Sequence, residues 1–111
     1  MIKQRAIEHK AMLSIASNFQ YSVGRIYQLK DQQTLSASQQ DILSLYEKYV
    51  AKVVECIYKF NPLERTILER EYFTPLPTGW WEAIYSRSTF YRLRLNITRK
   101  FLRVFPRWLN F

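Results

Sequence analysis

Backbone punctuation constrains this chain more than any other feature. Two glycines and four prolines serve 111 residues, and Pro62, Pro75, Pro77 and Gly79 fall close together. An all-β domain of this size would need a tight turn every 8–12 residues or so, and such turns draw on glycine and proline for their special backbone angles. The long stretches between breaks are instead rich in Leu, Gln, Lys, Glu and Arg, which suit helix interiors. The fold class is therefore all-α, a bundle of about five helices. A chain of this length buries roughly two-thirds of its unfolded surface around one core. With 48% hydrophobic and 16% aromatic residues it can fill that core, so residues 1–111 read as a single helical domain.

Apolar spacing places the elements. Met12, Ile15, Phe19, Val23 and Ile26 recur at intervals of three and four, predicting a helix over about 2–29. Gly24 within it costs roughly 1 kcal/mol against alanine, which predicts a bend or a close helix crossing there. Ser36 and Gln39 have the spacing of a capping box and start a second helix. Its stripe is Ile42, Leu45, Tyr46, Tyr49, Val53, Cys56, Ile57 and Phe60, while Leu43, Val50, Val54 and Tyr58 add a second apolar side. A helix apolar on two sides is expected to be covered on both, inside the domain, with a homodimer interface as the rival cover.

Asn61-Pro62-Leu63-Glu64 is a restart signal: Asn61 caps, Pro62 needs no amide partner at the first helical position, and Glu64 completes the box. A third helix follows over about 62–73, broken by Pro75 and Pro77. A short fourth helix, about 79–84, carries Trp80, Trp81 and Ile84. Ser86 and Thr89 then cap a last helix from Arg87 to about Phe105, with Phe90, Leu93, Ile97, Phe101 and Val104 on one face and Pro106 as its stop. Residues 1–60 thus supply scaffold helices, 61–105 a helix-turn-helix, and 106–111 a tail carrying Trp108, Leu109 and Phe111.

The net charge of +8 is uneven, because no Asp or Glu follows Glu82. Arg87, Arg92, Arg94, Arg99, Lys100, Arg103 and Arg107 put +7 of it into the last 29 residues. Such a block suits a polyanion, although an acidic protein or lipid surface would also satisfy it. Cys56 stands alone, which fits a reducing compartment, and no stretch has the apolar core of a signal peptide or the length of a membrane span. The expected setting is cytoplasmic, with no membrane partner.

Turning successive residues of the last helix by about 100° separates two sides. Opposite the apolar face lie Ser88, Arg92, Asn96, Arg99 and Arg103, with Arg87 and Thr89 at the start. Hydroxyls and amides at a helix N-terminus hold phosphate, arginine forks onto phosphate or guanine, and asparagine pairs with adenine. Alone, a basic face is usually just solvated. The order of elements tips the balance towards DNA: a capped helix, a turn, a short aromatic helix, a tight bend, then a basic helix opening at Ser86.

Two segments carry a family resemblance. Leu63-Glu64-Arg65-Thr66-Ile67-Leu68-Glu69-Arg70-Glu71-Tyr72-Phe73 and Ser86-Arg87-Ser88-Thr89-Phe90-Tyr91-Arg92-Leu93-Arg94 resemble the two ends of the promoter-binding C-terminal domain of bacterial sigma factors and of ArpU-like phage regulators. The chain is also similar to small sigma-like proteins of mycoplasmas. The resemblance spans about residues 61–105 and implies a transcription regulator or sigma-like factor acting with RNA polymerase. It places Arg87, Ser88, Thr89, Tyr91, Arg92 and Asn96 against DNA, with polymerase as a second partner. The chain departs from the family in lacking the glycine of the turn before the recognition helix. Its Ile84-Tyr85-Ser86 connection is one residue shorter, and Trp80 and Trp81 replace smaller residues. The rival reading is a protein-interaction module that binds polymerase or another protein without reading DNA.

Catalysis lacks parts. There is one histidine, His9, read as a solvated helix residue, and one cysteine, Cys56, read as an inert buried thiol. Glu64, Glu69, Glu71 and Glu82 are explained by capping and ion pairing. No catalytic residue, metal site or cofactor is expected.

Overall fold

The computed structural model describes residues 2–106, and all regular structure among them is helical. Four helices follow in order: α1 Ile2–Lys30, α2 Ala37–Ile57, α3 Pro62–Leu68 and α4 Arg87–Val104, with a π-helical turn, Glu69–Phe73, continuing α3. The aromatic tail lies outside the described residues. No helix is long and apolar enough to cross a membrane, among the residues described.

The starts predicted from sequence form through the side chains that predict them. Ser36 Oγ accepts from the Gln39 amide at 3.2 Å while Gln39 Oε1 accepts from the Ser36 amide at 2.9 Å. Asn61 and Glu64 make the same exchange at 2.8 and 3.2 Å. Each box satisfies two amides that a helix end would otherwise leave open.

α1 and α2 form an antiparallel hairpin. Lys30 pairs with Glu47 at 3.2 Å near its turn, and Tyr49 donates to the Ile15 carbonyl at 3.3 Å farther down. α3, the π turn and α4 pack against only part of this hairpin. The core they share holds Met12, Ile15 and Ala16 of α1, Tyr49, Val53 and Cys56 of α2, and Phe73, Phe90 and Phe101 beyond. Phe101 stands at its centre, with ring centroids 5.5 Å from Phe73, 5.6 Å from Phe105 and 6.2 Å from Phe60.

The π turn sets the path between α3 and α4. The Thr74 amide reaches back to the Glu69 carbonyl at 2.7 Å, the wider closure of a π-helix, so Tyr72 and Phe73 both turn inward. Widening a helix end frees carbonyls, and Gln20 of α1 meets two of them, Tyr72 O at 3.3 Å and Phe73 O at 3.4 Å.

Several expectations need correction. The short helix at about 79–84 does not form. Trp80, Glu82 and Ile84 instead donate to carbonyls three residues back, in successive turns. Eight residues between Pro77 and the Ser86 cap are too few to propagate a helix, whose first turn is costly, and the indoles pack against Phe90 instead. Gly79 takes a φ of +85°, which glycine reaches without strain.

α2 is not covered on two faces. Tyr49, Val53, Cys56 and Ile57 are buried, whereas Ile42, Leu45, Val54 and Tyr58 are exposed. Ile42 and Leu45 lie in the first half of α2, towards the α1–α2 turn, and Val54 and Tyr58 near its other end. Gly24 makes no close crossing, since nothing lies within 4 Å of where its Cβ would be. Val104 is exposed and Phe105 takes its place in the core, because the chain leaves helical geometry there and swings the Phe105 ring over Phe101.

Candidate nucleic-acid interface

α4 carries most of the residues that sequence assigns to binding, and its start is firmly built. Ser86 Oγ accepts from the Thr89 amide at 3.3 Å and donates to Thr89 Oγ1 at 2.9 Å. Both hydroxyls thereby take part in the cap, and the Thr89 amide is satisfied by it. Behind the cap, Trp81 stacks on Phe90 with centroids 4.5 Å apart and planes 6° apart, while Trp80 meets Phe90 edge-on at 5.7 Å. Both tryptophans therefore pack, and Trp80 also donates from Nε1 to Glu71 at 3.1 Å.

The outer line of α4 is open. Ser88, Arg92, Asn96 and Arg103 are exposed, and Arg87 is exposed at the first turn. Among the described residues no carboxylate pairs with Arg87, Arg92 or Arg103.

The remaining cations of α4 are paired, including Arg99, which shares the outer line with Arg92 and Arg103. Arg94 pairs with Glu71 of the π turn at 2.8 Å, Arg99 Nε lies 2.9 Å from both carboxylate oxygens of Glu8 in α1, and Lys100 pairs with Glu64 of α3 at 2.8 Å. The hydrogen bond from Lys100 holds the Glu64 carboxyl below its ordinary range against the opposing effect of burial. So three of the seven late cations are joined to acids from the scaffold. The basic block of the sequence overstates what α4 offers to a polyanion.

The predicted site residues consequently divide. Ser88, Arg92 and Asn96 come together on the outer line with Arg103. Ser86 and Thr89 form the cap. Arg99 remains partly exposed but engages Glu8. Tyr91, singled out only by the family resemblance, lies at the flank: its ring centroid is 5.6 Å from Trp81, with the Arg94 guanidinium 4.7 Å and the Arg87 guanidinium 5.8 Å from it.

His9 is not simply solvated. Its Nδ1 lies 3.1 Å from the Tyr72 hydroxyl, which in turn lies 2.9 Å from Thr98 Oγ1 in the core. Burial, then the neighbouring Arg94 charge, holds the imidazole below its ordinary pKa, with Glu71 opposing. Burial likewise raises the Tyr72 phenol, and pushes the Cys56 thiol up, away from the thiolate a nucleophile needs. Cys56 lies in the core with Sγ 3.8 Å from the Val104 carbonyl. No three His, Cys, Asp or Glu side chains among the described residues converge as a metal site.

Sequence reasoning missed the tethering acids, because Glu8 and Arg99 stand 91 positions apart and no local spacing links them. It also missed a cleft beside the α4 cap, lined by Gly79, Trp81, Glu82, Tyr85, Arg87 and Tyr91 among others. The pairing of Trp80-Trp81 with the nearby Tyr85 and Tyr91 was the available signal.

Comparison with protein-family models, with curated proteins and with solved structures finds no match to this chain.

Proposed function

We propose that this chain is a DNA-binding transcription regulator, or a sigma-like factor acting with RNA polymerase, that reads DNA with α4 from its start near Ser86. The observation that carries the reading is the open outer line of α4. Arg92, Asn96 and Arg103 stand exposed beside Ser88 on a helix whose opposite side is core, and no described acid neutralises either arginine. A helix with one side anchored and the other lined by Arg and Asn suits a major groove, where arginine forks onto guanine and asparagine onto adenine. Arg87 and the first-turn amides suit the flanking phosphates.

The family resemblance over about residues 61–105 supports the same reading, with α3 and its π turn in the supporting position and RNA polymerase as the second partner. The absence of a regular helix over 79–84 marks a difference from a standard helix-turn-helix. The protein-interaction reading draws on a different feature: Tyr21, Ile42 and Leu45 leave apolar surface exposed at the α1–α2 hairpin, where polymerase or a second copy would dock.

Salt dependence tests the DNA reading. Each phosphate neutralised contributes about −0.9 to the slope of log affinity against log salt. Seven late cations would give roughly −6, but the three open ones among the described residues, Arg87, Arg92 and Arg103, give roughly −3. Fluorescence anisotropy with a duplex DNA over a salt series is expected to show the shallower slope. No salt-dependent binding to duplex DNA at low ionic strength would reject the reading.

A further inference from the structure

The cleft beside the α4 cap has a chemistry that phosphate contact leaves unused. About 430 Å³ in volume, it lies between the 78–85 turns and the first turn of α4, within the usual size range of small-molecule sites. Its aromatic members are not equivalent. Trp81 is 8% exposed and its face is taken by Phe90, so it forms the floor. Tyr85 is half-buried, and Tyr91 is 38% exposed with the Arg94 and Arg87 guanidinium groups 4.7 and 5.8 Å from its ring centroid.

Two opposite charges border the same space. Arg87 is exposed, and no described carboxylate pairs with it. Glu82 is the last acid in the chain, and no described cation pairs with it. Its carboxylate lies so close to Gly79 that a Cβ there would stand 2.9 Å from Glu82 Oε1. The positive φ of Gly79 thus serves a second purpose: the absent side chain leaves room for the carboxylate against the turn.

A phosphate alone does not suit this cleft, because the Glu82 carboxylate repels it. A ligand suited to every part has an anion for Arg87, a flat ring for the tyrosines and paired hydrogen donors for the carboxylate. A carboxylate only accepts, and among the bases guanine presents two adjacent donors, N1–H and the N2 amine, on its Watson–Crick edge. That edge is available only when the base is unpaired.

We propose that this cleft binds a single unstacked guanine nucleotide, with the base against Tyr85 and Tyr91, its Watson–Crick edge on Glu82 and its phosphate on Arg87. The inference rests on the reading that α4 contacts nucleic acid, and deepens it: the outer line of the helix engages paired DNA while its N-terminal flank selects an unpaired base.

The test uses the full chain and a labelled duplex DNA, fully paired or carrying one extra unpaired nucleotide: guanine, hypoxanthine, thymine or an abasic site. Stacking on aromatic rings is commonly worth about tenfold in affinity per base, so the guanine bulge is expected to bind about that much more tightly than the paired duplex. Hypoxanthine, which lacks the N2 amine, and thymine keep a ring to stack but not the paired donors, so each is expected to bind more weakly than guanine, and the abasic site is expected to lose the whole gain. Glu82→Gln, at an exposed position, is expected to abolish the preference for guanine over thymine without weakening binding to the paired duplex, since it removes a negative charge.

Equal gain from every unpaired base, or a guanine preference that survives Glu82→Gln, overturns the assignment of Glu82. Binding to the paired duplex with no gain from unpaired guanine overturns the cleft while leaving the α4 reading intact. Binding to none of the probes removes both.

Discussion

Arg94, Arg99 and Lys100 of α4 each meet a carboxylate from an earlier element, whereas Arg92 and Arg103, on the same outer line as Arg99, meet none among the described residues. The two sets are interleaved in sequence and chemically alike, yet the fold puts them to different uses. The paired cations join α4 to α1, to α3 and to the π turn, while Phe90, Ile97 and Phe101 in the core set which side of it faces inward. The open cations carry no such duty, and their charge remains directed at solvent and at anything anionic that approaches. On the proposed reading, the first set serves the fold and the second serves salt-dependent binding, a separation that mutation can probe.

The largest expected effect falls on the support common to both sets. Phe101 is fully buried among Phe60, Phe73 and Phe105. Phe101→Ala is expected to cost about 3–5 kcal/mol, the usual toll of emptying an aromatic core site. Chemical denaturation should show the full loss, and binding should fail with the fold instead of separately from it.

Glu71 comes next, because one carboxylate serves two donors. Its Oε1 accepts from Trp80 Nε1 and its Oε2 from Arg94, with both partners of the ion pair mostly shielded from water. Glu71→Gln keeps the shape but turns a donor towards one of these groups. The cost is expected to be about 1.5–3 kcal/mol, typical of a hydrogen bond to a charged group. If the flank pairs were ornamental, denaturation of this variant would match that of the parent.

Several of these relations were legible from residues alone and others were not. Ser36, Asn61 and Ser86 announced their helices because a cap is a local device, complete within four residues. Phe90, Ile97 and Phe101 were readable as core because a 3.6-residue period survives any tertiary arrangement. The region over 79–84 was misread as helix because Trp80, Trp81 and Ile84 have helical spacing, while the turns they adopt follow from Trp81 stacking on Phe90, a contact outside the segment. The division among the late cations was equally hidden. Nothing beside Arg99 in sequence distinguishes it from Arg103; only the approach of Glu8 does. The open end of the α1–α2 hairpin escaped notice for the same reason, since apolar residues such as Leu45 show that a cover is wanted without showing whether one arrives.

A smaller effect is expected at the α4 cap. Ser86→Ala removes the acceptor for the Thr89 amide and should cost about 1 kcal/mol, as loss of an N-cap usually does. The variant also separates the cap from the cations: thermal melting should shift while the salt slope of binding does not.

Acidification probes the other side of the flank. His9 has a folded-state pKa below its ordinary value of 6.5, so the native state binds fewer protons than the unfolded chain between those two values. Stability therefore rises with pH through that window and falls as pH drops below the unfolded pKa. Tyr72 and the charges of Arg94 and Glu71 surround the ring, so protonation also acts on the Arg94 anchor. Melting curves should show the loss on going from neutral to mildly acidic buffer, and His9→Asn should flatten it. A response unchanged in the variant would assign the effect to other groups.

The smallest change in stability should accompany the largest change in charge presentation. Arg92→Ala and Arg103→Ala are exposed substitutions without ion-pair partners among the described residues, expected to move folding by no more than about 0.5 kcal/mol. Each should nevertheless make the salt slope of DNA binding shallower by about 1. Glu8→Gln makes the opposite exchange: it loosens the α1–α4 tether and frees Arg99, so stability should fall modestly while the slope steepens by about 1. A chain in which both substitutions shifted slope and stability together would have no division of labour along α4. A chain in which Arg92→Ala and Glu8→Gln move the slope in opposite directions has one, because only the presence of a facing carboxylate distinguishes the two arginines.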